Sequence, residues 1–450
     1  MPVLGRIAMI LVSNPILSLI LPFLLLILFS GSLIFLFEWL SEFDVSVIDS
    51  LFTAASAATV TGLTVVGTNE LSFASQVTIL ATIQLGGLAT ILGSAFIILL
   101  ARYSGTSFQG KSSAASLFGS ALRDLGGILK FILIFTFVAE GLGTLLLFLH
   151  FQSDMESSRA LWYAGFHAIS AFCNAGFFLF VDDLRSFTGD AYVLAVMSAE
   201  ITLGGIGFWV LMAASTKVFS RVIHRKRIYG WPVYSKVIVV TTLCLFLAGF
   251  VSFFSIEYDD SMSGLAMREK VLVSAFQSVS ARTAGFSAVD MGQTASATQF
   301  LFMGLMFIGA GSVSTAGGIK TSTFSVLMLR MWANARRKRD VVVWNRVISR
   351  ESSDKAIAVF VASFAILSTF VFVLLFLEKG HMDIFFEATS AFGTVGLSTG
   401  ITSSLSDASR LLVSLLMVVG KVGPLSLMYI FGKNMAEEMS PYLREEIEVG

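Results

Sequence analysis

Long apolar stretches that carry almost no charge recur along the whole chain. A helix needs about 20 such residues to cross the hydrocarbon core of a bilayer. Only 13% of the residues are charged, against about 25% in a typical soluble domain. We therefore expect an all-α integral membrane protein. The first apolar run, from about 15 to 40, lacks a small-residue cleavage site and is expected to remain as the first span.

Two landmarks recur along the sequence at nearly equal spacing. The first is a glycine, at Gly62, Gly176, Gly285 and Gly396, with separations of 114, 109 and 111 residues. The second is a small-residue site that begins 24 residues after the glycine in repeats one, three and four, and 28 residues after it in repeat two. It reads Gly86-Gly87, Gly204-Gly205, Gly309-Ala310 and Gly420-Lys421. Landmarks that keep step four times indicate an internal repeat.

Each repeat is predicted to contain a long apolar helix (M1), a half-length pore helix, a loop and a second long helix (M2). The M1 helices are predicted at roughly 15–40, 126–150, 236–256 and 355–378, and the M2 helices at roughly 75–101, 190–216, 298–330 and 408–432. A half helix must return to the side it entered from, and its loop can lie at membrane depth only where protein or a water-filled pore satisfies its backbone. The predicted fold has pseudo-four-fold symmetry around a single pore, with eight full transmembrane helices and four re-entrant half helices.

The boundaries and the topology follow from this repeat. We expect repeats at 1–101, 102–235 with cytoplasmic linkers, 236–335 with a broken M2, and 336–432, followed by a tail at 433–450. Basic residues concentrate between the repeats, and acidic residues flank the half helices. The positive-inside rule therefore predicts a multi-pass protein of the cell membrane with outward pore loops and both termini in the cytoplasm. The acidic outer rim would raise the local cation concentration.

One glycine after each half helix predicts an ion pathway. A dehydrated monovalent cation needs a shell of oxygens, which rings of backbone carbonyls can supply. Glycine permits the backbone angles that turn carbonyls inwards, and the C-terminal ends of the half helices carry negative partial charge. The predicted selectivity filter, with potassium at its carbonyls, comprises Thr59, Val60, Thr61 and Gly62; Asn174, Ala175 and Gly176; Thr283, Ala284 and Gly285; and Thr394, Val395 and Gly396. The alternative is a set of helix-packing glycines in a transporter core.

The third M2 contains a run of mostly small and hydroxyl-bearing residues. The run is Gly309, Ala310, Gly311, Ser312, Val313, Ser314, Thr315, Ala316, Gly317 and Gly318. Each glycine weakens a helix by on the order of 1 kcal/mol relative to alanine, so this segment is expected to bend or unwind inside the membrane. Its hydroxyls can pair with the freed backbone or line water. The alternative is a small-residue packing helix.

Lys421 is a basic residue deep in the fourth predicted M2, aligned with Gly87, Gly205 and Ala310. An ionisable residue at that depth costs about 2.5–3.5 kcal/mol on insertion scales and is a functional candidate. The alternative is a lysine that snorkels to an interface. Four further polar residues, Gln84, His167, Glu200 and Arg282, are expected to serve packing or bracing roles.

These segments resemble a known family. Thr59–Gly62 and Thr394–Gly396 look like the Thr-Val-Gly filter of tetrameric potassium channels. Together with Ser170–Phe177, Ala281–Phe286 and Ser390–Leu397, they are similar to the Trk/Ktr/HKT superfamily of potassium transporters, most closely to the membrane subunits of Ktr systems. The resemblance covers nearly the whole chain. It implies that glycine in all four filters favours potassium. It also implies that 309–318 is a gate loop and that the basic residue at Lys421, usually arginine, contacts this loop.

The resemblance further implies a transporter rather than an enzyme. The implied activity is potassium uptake through a gated, channel-like pore driven by the membrane potential and dependent on sodium. The implied partners are a second copy of the chain, membrane lipid and a KtrA-like cytoplasmic ring of nucleotide-binding regulatory subunits, which alone would bind ATP or ADP. No cofactor and no nucleic acid are expected on this chain. The alternatives are a sodium or poorly selective transporter of the same superfamily, the potassium-binding subunit of a pump, and a secondary carrier.

Overall fold

The computed structural model describes residues 17–106, 114–222 and 231–423. Helices account for most of these residues. In chain order they are α1 Leu17–Leu40, α2 Val47–Thr59, α3 Phe73–Thr106, α4 Ala114–Phe151, α5 Ser157–Cys173, α6 Ala191–Gly205, α7 Phe208–Val222, α8 Val233–Glu257, α9 Met267–Ser280, α10 Ser296–Phe307, α11 Thr321–Ala335, α12 Arg350–Leu377, α13 His381–Gly393 and α14 Asp407–Val422. A short antiparallel hairpin, β1 Val341–Val343 and β2 Arg346–Ile348, joins α11 to α12.

Five helices in the described ranges are long and apolar enough to cross a membrane, namely α1, α3, α4, α8 and α12. The pair α6 and α7 would form a sixth span, but it is bent by 100°. The prediction of one continuous helix over 190–216 is therefore wrong. The bend occurs at Gly207, whose φ of 96° glycine adopts without steric strain.

The four predicted half helices are α2, α5, α9 and α13, with 13, 17, 14 and 13 residues. Three of them end in a left-handed residue whose backbone N–H bonds back to the last helical turn. These three caps are Val60, Asn174 and Thr394. Each cap turns the chain sharply, so that the predicted filter segment begins where the helix ends.

A carboxylate near the end of three M1 helices caps the M2 helix of the same repeat. Its Oε1 atom accepts a backbone N–H in the pairs Glu38 with Ser72 (3.0 Å), Glu257 with Ala295 (3.0 Å) and Glu378 with Ser406 (2.8 Å). In the second repeat a contact between histidine and aspartate stands at this junction, with His150 Nε2 lying 2.6 Å from Asp190 Oδ2. The capping residue follows the repeat glycine by ten residues in repeats one, three and four, and by fourteen in repeat two. This contact is a third landmark in the same register.

The small-residue sites of M2 allow close packing against the pore helices. A β-carbon added to the glycine would collide with a backbone carbonyl at the pore-helix end, in the pairs Gly86 with Ala58, Gly204 with Phe172 and Gly420 with Phe392. In the third repeat the M2 helix instead ends at Phe307, two residues before the equivalent Gly309. Glycine is thus needed at this site because the M2 helix packs directly against the carbonyl end of the pore helix, which leaves no space for a side chain.

Buried apolar residues form clusters that join successive repeats. One cluster joins the second and third repeats, another joins the first and second, and a third joins the fourth to the first. The last cluster includes Phe52 and Leu63 on one side and Phe392 and Leu416 on the other. The apolar core therefore runs between the repeats and brings the first and last repeats together.

Candidate functional site

The four repeat glycines lie next to one another in a closed ring. A β-carbon on Gly62 would lie 2.9 Å from the Cα atom of Gly176, and one on Gly176 would lie 3.3 Å from the Cα atom of Gly285. A β-carbon on Gly285 would lie 3.0 Å from the Cα atom of Gly396, and one on Gly396 would lie 3.0 Å from the Cα atom of Gly62. Four segments that are more than 100 residues apart in sequence therefore surround one small space.

The backbone is left-handed twice in each of these segments. The glycines have φ values of 97°, 70°, 80° and 97° in repeat order. The residues two positions earlier, Val60, Asn174, Thr283 and Thr394, have φ values of 56°, 58°, 76° and 48°. This repeated conformation is neither helix nor strand, and it suits a filter in which backbone carbonyls bind the ion.

Serine hydroxyls of the pore helices hold the segments in place. Ser56 Oγ accepts the N–H of Gly62 at 2.9 Å, Ser390 Oγ accepts the N–H of Gly396 at 3.0 Å, and Ser170 Oγ accepts the N–H of Phe177 at 3.1 Å. In the third repeat Ser280 Oγ donates to the carbonyl of Phe286 at 2.5 Å. Sequence reasoning missed these serines. The signal was present, because serine stands six residues before the glycine in three of the four repeats.

A cavity of about 360 Å³ lies at the ring and is lined by all four glycines. Asp183, from the loop after the second filter segment, also lines it, and its Oδ2 accepts the N–H of Ser287 at 2.8 Å. Its Oδ1 is buried without a hydrogen-bond partner. Burial raises the pKa of Asp183 to about 7, against a smaller lowering by its backbone hydrogen bonds. The cavity thus carries a carboxyl group that titrates near neutral pH.

The segment predicted as a gate is non-helical and lies between α10 and α11 in the chain. Gly317 lies against the side chain of Thr394, a predicted filter residue. The N–H of Gly318 donates to the carbonyl of Gly420 at 3.3 Å. Lys421 Nζ donates to the carbonyl of Thr315. The fourth repeat therefore holds this segment directly against the filter region.

The other side of the same segment is bound at the bend between α6 and α7. The N–H of Gly311 donates to the carbonyl of Gly205 at 2.9 Å, and the N–H of Phe208 donates to the carbonyl of Val313 at 2.8 Å. A β-carbon on Gly207 would lie 2.6 Å from a carbonyl oxygen of this segment. Sequence reasoning missed the bend, although two glycines before Ile206 and one after it hinted at a break.

Arg282 connects the third filter segment to the end of the gate segment. Its Nη2 donates to Thr321 Oγ1 at 3.2 Å, and Thr321 Oγ1 donates in turn to the carbonyl of Gly309 at 2.8 Å. Arg282 is buried, and no salt bridge to it is found among the described residues. Its contacts run from the filter to the gate segment.

Lys421 is buried, with 6% of its surface exposed. Within the described ranges it makes no salt bridge, and its Nζ points at the backbone of the gate segment. A second lysine, Lys320, donates to the carbonyl of Ala316 in the same segment. A positive group below the ring would oppose a passing cation electrostatically. No cluster of three or more His, Cys, Asp or Glu side chains suited to a metal occurs in the described part of the chain.

A family model described as "TrkH: Cation transport protein" matches residues 27–441. The chain belongs to this TrkH family. The Ktr system potassium uptake protein B of Vibrio alginolyticus is 36% identical over 393 residues, which cover 86% of this chain and 85% of the relative. The potassium/sodium uptake protein NtpJ of Enterococcus hirae is 33% identical over 445 residues, which cover 95% of each chain.

The TrkH fold is seen in a solved relative as well. The crystal structure of the potassium transporter TrkH from Vibrio parahaemolyticus matches with a TM-score of 0.71 at 18% identity, covering 91% of this chain and 84% of that one. The predicted resemblance to the Trk/Ktr/HKT superfamily is confirmed. TrkH-family proteins transport ions across membranes, so the expectation that this chain is not an enzyme is also confirmed.

Proposed function

We propose that this TrkH-family chain takes potassium into the cell through a gated pore at the centre of its four repeats. The closed ring of Gly62, Gly176, Gly285 and Gly396 is the observation that carries the proposal. An inside-negative potential supplies about 2.3 kcal/mol per 100 mV for each entering charge, so uptake needs no ATP hydrolysis. The names of the relatives, which are potassium uptake proteins, support potassium as the ion.

In this proposal the filter consists of the left-handed segments around the ring, and their carbonyls replace the water shell of potassium. Glycine in all four repeats favours potassium over sodium. Each repeat contributes an M1 helix, a re-entrant half helix and an M2 segment, of which the second is bent and the third is interrupted, with the cavity at the glycine ring facing away from the cytoplasm. The carboxyl group of Asp183 at this cavity attracts cations when it is ionised.

The gate is the segment 309–318, closed by contacts on both of its sides. Lys421 holds it from the fourth repeat, and the bend at Gly207 holds it from the second. Opening requires these contacts to break, which moves the segment away from the filter. We place Arg282 outside the ion path, as a link between the third filter segment and the end of the gate.

The proposal includes dependence on sodium and control by a cytoplasmic ring of nucleotide-binding subunits. The name of the NtpJ relative, a potassium/sodium uptake protein, and the Ktr system names support these features. The exposed basic residues Arg337, Lys338 and Arg339, beside the β-hairpin, offer a surface for such a partner. The predicted tail 433–450 and both termini lie outside the described residues.

Rescue of a potassium-uptake-deficient cell at low external potassium tests the proposal, with and without a regulatory ring. Growth that depends on the chain and rises with the ring is expected. Flux into liposomes under potassium, sodium or ammonium gradients then separates the candidates. Equal sodium and potassium flux would favour the poorly selective cation pathway suggested by the NtpJ name. Saturable exchange with fixed stoichiometry would favour a carrier and contradict the pore.

A further inference from the structure

Two buried carboxylates face each other between α4 and α6, to one side of the proposed pore. Glu140 is 4% exposed and Glu200 is 5% exposed. Glu200 packs on Gly143, one turn after Glu140 on the same face of α4, because a β-carbon on Gly143 would lie 2.5 Å from Glu200 Oε1. Cys173, at the end of the second pore helix, lies with its Sγ 3.9 Å from Glu140 Oε1.

These carboxylates have few hydrogen-bond donors. Glu140 Oε2 accepts from the side-chain amide of Gln84 at 3.2 Å. Glu200 Oε2 is buried without any partner, and so is the hydroxyl of Thr136, one turn before Glu140 on α4. No basic side chain forms a salt bridge with either carboxylate in the described ranges. Buried polar atoms left unpaired in this way call for a bound ion or water.

Glu257 shows what a satisfied carboxylate looks like in the same molecule. It is 0% exposed, and its Oε1 accepts the N–H of Ala295 at 3.0 Å and the hydroxyl of Thr298. Its Oε2 accepts the N–H of Ser261 at 3.3 Å. The contrast matters because an ionised carboxylate removed from water costs several kcal/mol unless donors or a cation compensate it. Glu140 has only the Gln84 amide and a distant Cys173 thiol as donors, and Glu200 Oε2 has none.

The available ligands are hard oxygens from two carboxylates, the Thr136 hydroxyl and the Gln84 amide. Hard oxygen donors suit hard cations. Divalent calcium takes six to eight oxygens, and magnesium usually keeps several waters. A monovalent cation fits the charge of this pair when one carboxylate holds a proton, because its single charge then offsets the other carboxylate.

We propose that Glu140 and Glu200 form an off-axis sodium site between α4 and α6. The ion would join M1 and M2 of the second repeat behind Cys173, and so would stiffen the scaffold of the second filter segment. This inference deepens the sodium dependence proposed above, and it relies on that proposal only for its effect on flux. Sodium binding itself is testable independently.

Thermal unfolding of the purified full-length chain in detergent tests the site. Sodium chloride is titrated against choline chloride at constant ionic strength, and potassium chloride is titrated in parallel. We expect a saturable rise of the melting temperature with sodium, because a ligand that binds the folded state stabilises it. Glu140→Gln and Glu200→Gln should abolish the sodium-dependent rise and keep the response to potassium, which reports on the filter.

Two further variants keep the test decisive. Glu257→Gln is the matched control, since it removes a satisfied buried carboxylate; it should melt lower and keep the full sodium-dependent rise. Thr136→Val removes only a hydroxyl and should weaken the apparent sodium affinity severalfold. This variant tests the sodium site if the glutamine variants fold poorly. A sodium-dependent rise that survives in Glu140→Gln, Glu200→Gln and Thr136→Val overturns the site. A melting temperature that responds to pH but not to sodium also overturns it, in favour of a shared proton.

Potassium flux in liposomes separates this inference from the proposed function. Sodium should stimulate flux through the unaltered chain and leave flux through Glu200→Gln unchanged. Sodium binding without stimulation would leave the site standing and contradict the proposed sodium dependence. Potassium flux without any sodium-dependent stabilisation would overturn the site and leave the potassium pathway standing.

Discussion

At the scale of single residues, the ring of glycines shows why a side chain is disfavoured at these positions. All four have φ values in the left-handed region, and each lies within van der Waals distance of the next segment. Either condition alone would disfavour a side chain. Together they make each position intolerant of any side chain, whether polar or apolar.

Gly285→Ser is expected to lower the preference for potassium over sodium by about tenfold or more. A β-carbon there would meet the carbonyl oxygen of Val395, an atom of the proposed filter, and the left-handed backbone adds strain of about 1–3 kcal/mol. Flux ratios in liposomes measure the change. Gly264→Ser is the matched control, since no atom lies within 4 Å of its added β-carbon. Unchanged selectivity in Gly285→Ser would contradict the filter assignment.

Asp183 is expected to make stability depend on pH. Its folded-state pKa, about 7, lies above its ordinary value of 3.8 because burial disfavours the charged form. The stabilising contribution is therefore complete below about pH 4 and is lost as the pH rises through 7, with a slope of at most about 1.4 kcal/mol per pH unit. Asp183→Asn should flatten the melting temperature between pH 5 and 8, measured against the unaltered chain at a series of pH values. Identical profiles would show that Asp183 is not buried in the folded protein.

At the scale of elements, the gate segment is held from two sides. The break between α6 and α7 contacts one side, and the end of α14 contacts the other. The break between α6 and α7 frees backbone groups of the second repeat, and the gate segment supplies partners for two of them. The end of α14 brings Lys421 to the other side. A non-helical segment at membrane depth is allowed because neighbouring protein satisfies its backbone.

Lys421→Met is expected to raise potassium flux by up to about tenfold. The substitution keeps the length of the side chain and removes a donor to the carbonyl of Thr315, and such hydrogen bonds contribute about 0.5–1.5 kcal/mol. Liposome flux assays at fixed protein density measure the effect. Lys421→Arg is the conservative control and should stay near the level of the unaltered chain. A fall in flux on Lys421→Met would argue that the lysine opens the gate.

At the scale of the whole molecule, one ion pair joins the first and last repeats. Arg410 Nη1, on α14, lies 2.7 Å from Asp49 Oδ1, on α2, and both side chains are 14% exposed. The pair adds a directional contact to the apolar cluster between the same repeats. It closes the ring of repeats at the point where the chain itself provides no connection.

Arg410→Met is expected to reduce the free energy of unfolding by about 1–3 kcal/mol, the range for a charge-assisted, largely buried contact. Asp49→Asn should have a similar effect, and the double variant should be no worse than either single one, because all three remove the same contact. Thermal unfolding in detergent measures the loss. Lys355→Met is the control, since its partner Glu351 is exposed, and it should leave the melting temperature unchanged. Additive losses in the double variant would contradict the pairing.

The sequence by itself determined the four repeats and the order of their helices and glycine landmarks. The two landmarks were visible because each repeat needs glycine where a backbone turns or packs against a carbonyl, and such needs are local. The helix types, the half-length pore helices and the interruption of the third M2 followed from apolar length and glycine content. The family followed from the motifs around the four glycines.

Only the tertiary structure decided the bend at Gly207, the capping of M2 helices by glutamates at the ends of M1, and the unpaired carboxylates of Glu140 and Glu200. A helix bends where a distant segment can satisfy the freed backbone groups, and here that segment lies more than 100 residues away. Whether a buried carboxylate is satisfied likewise depends on donors from other helices. Such facts depend on contacts between segments, which local composition does not encode.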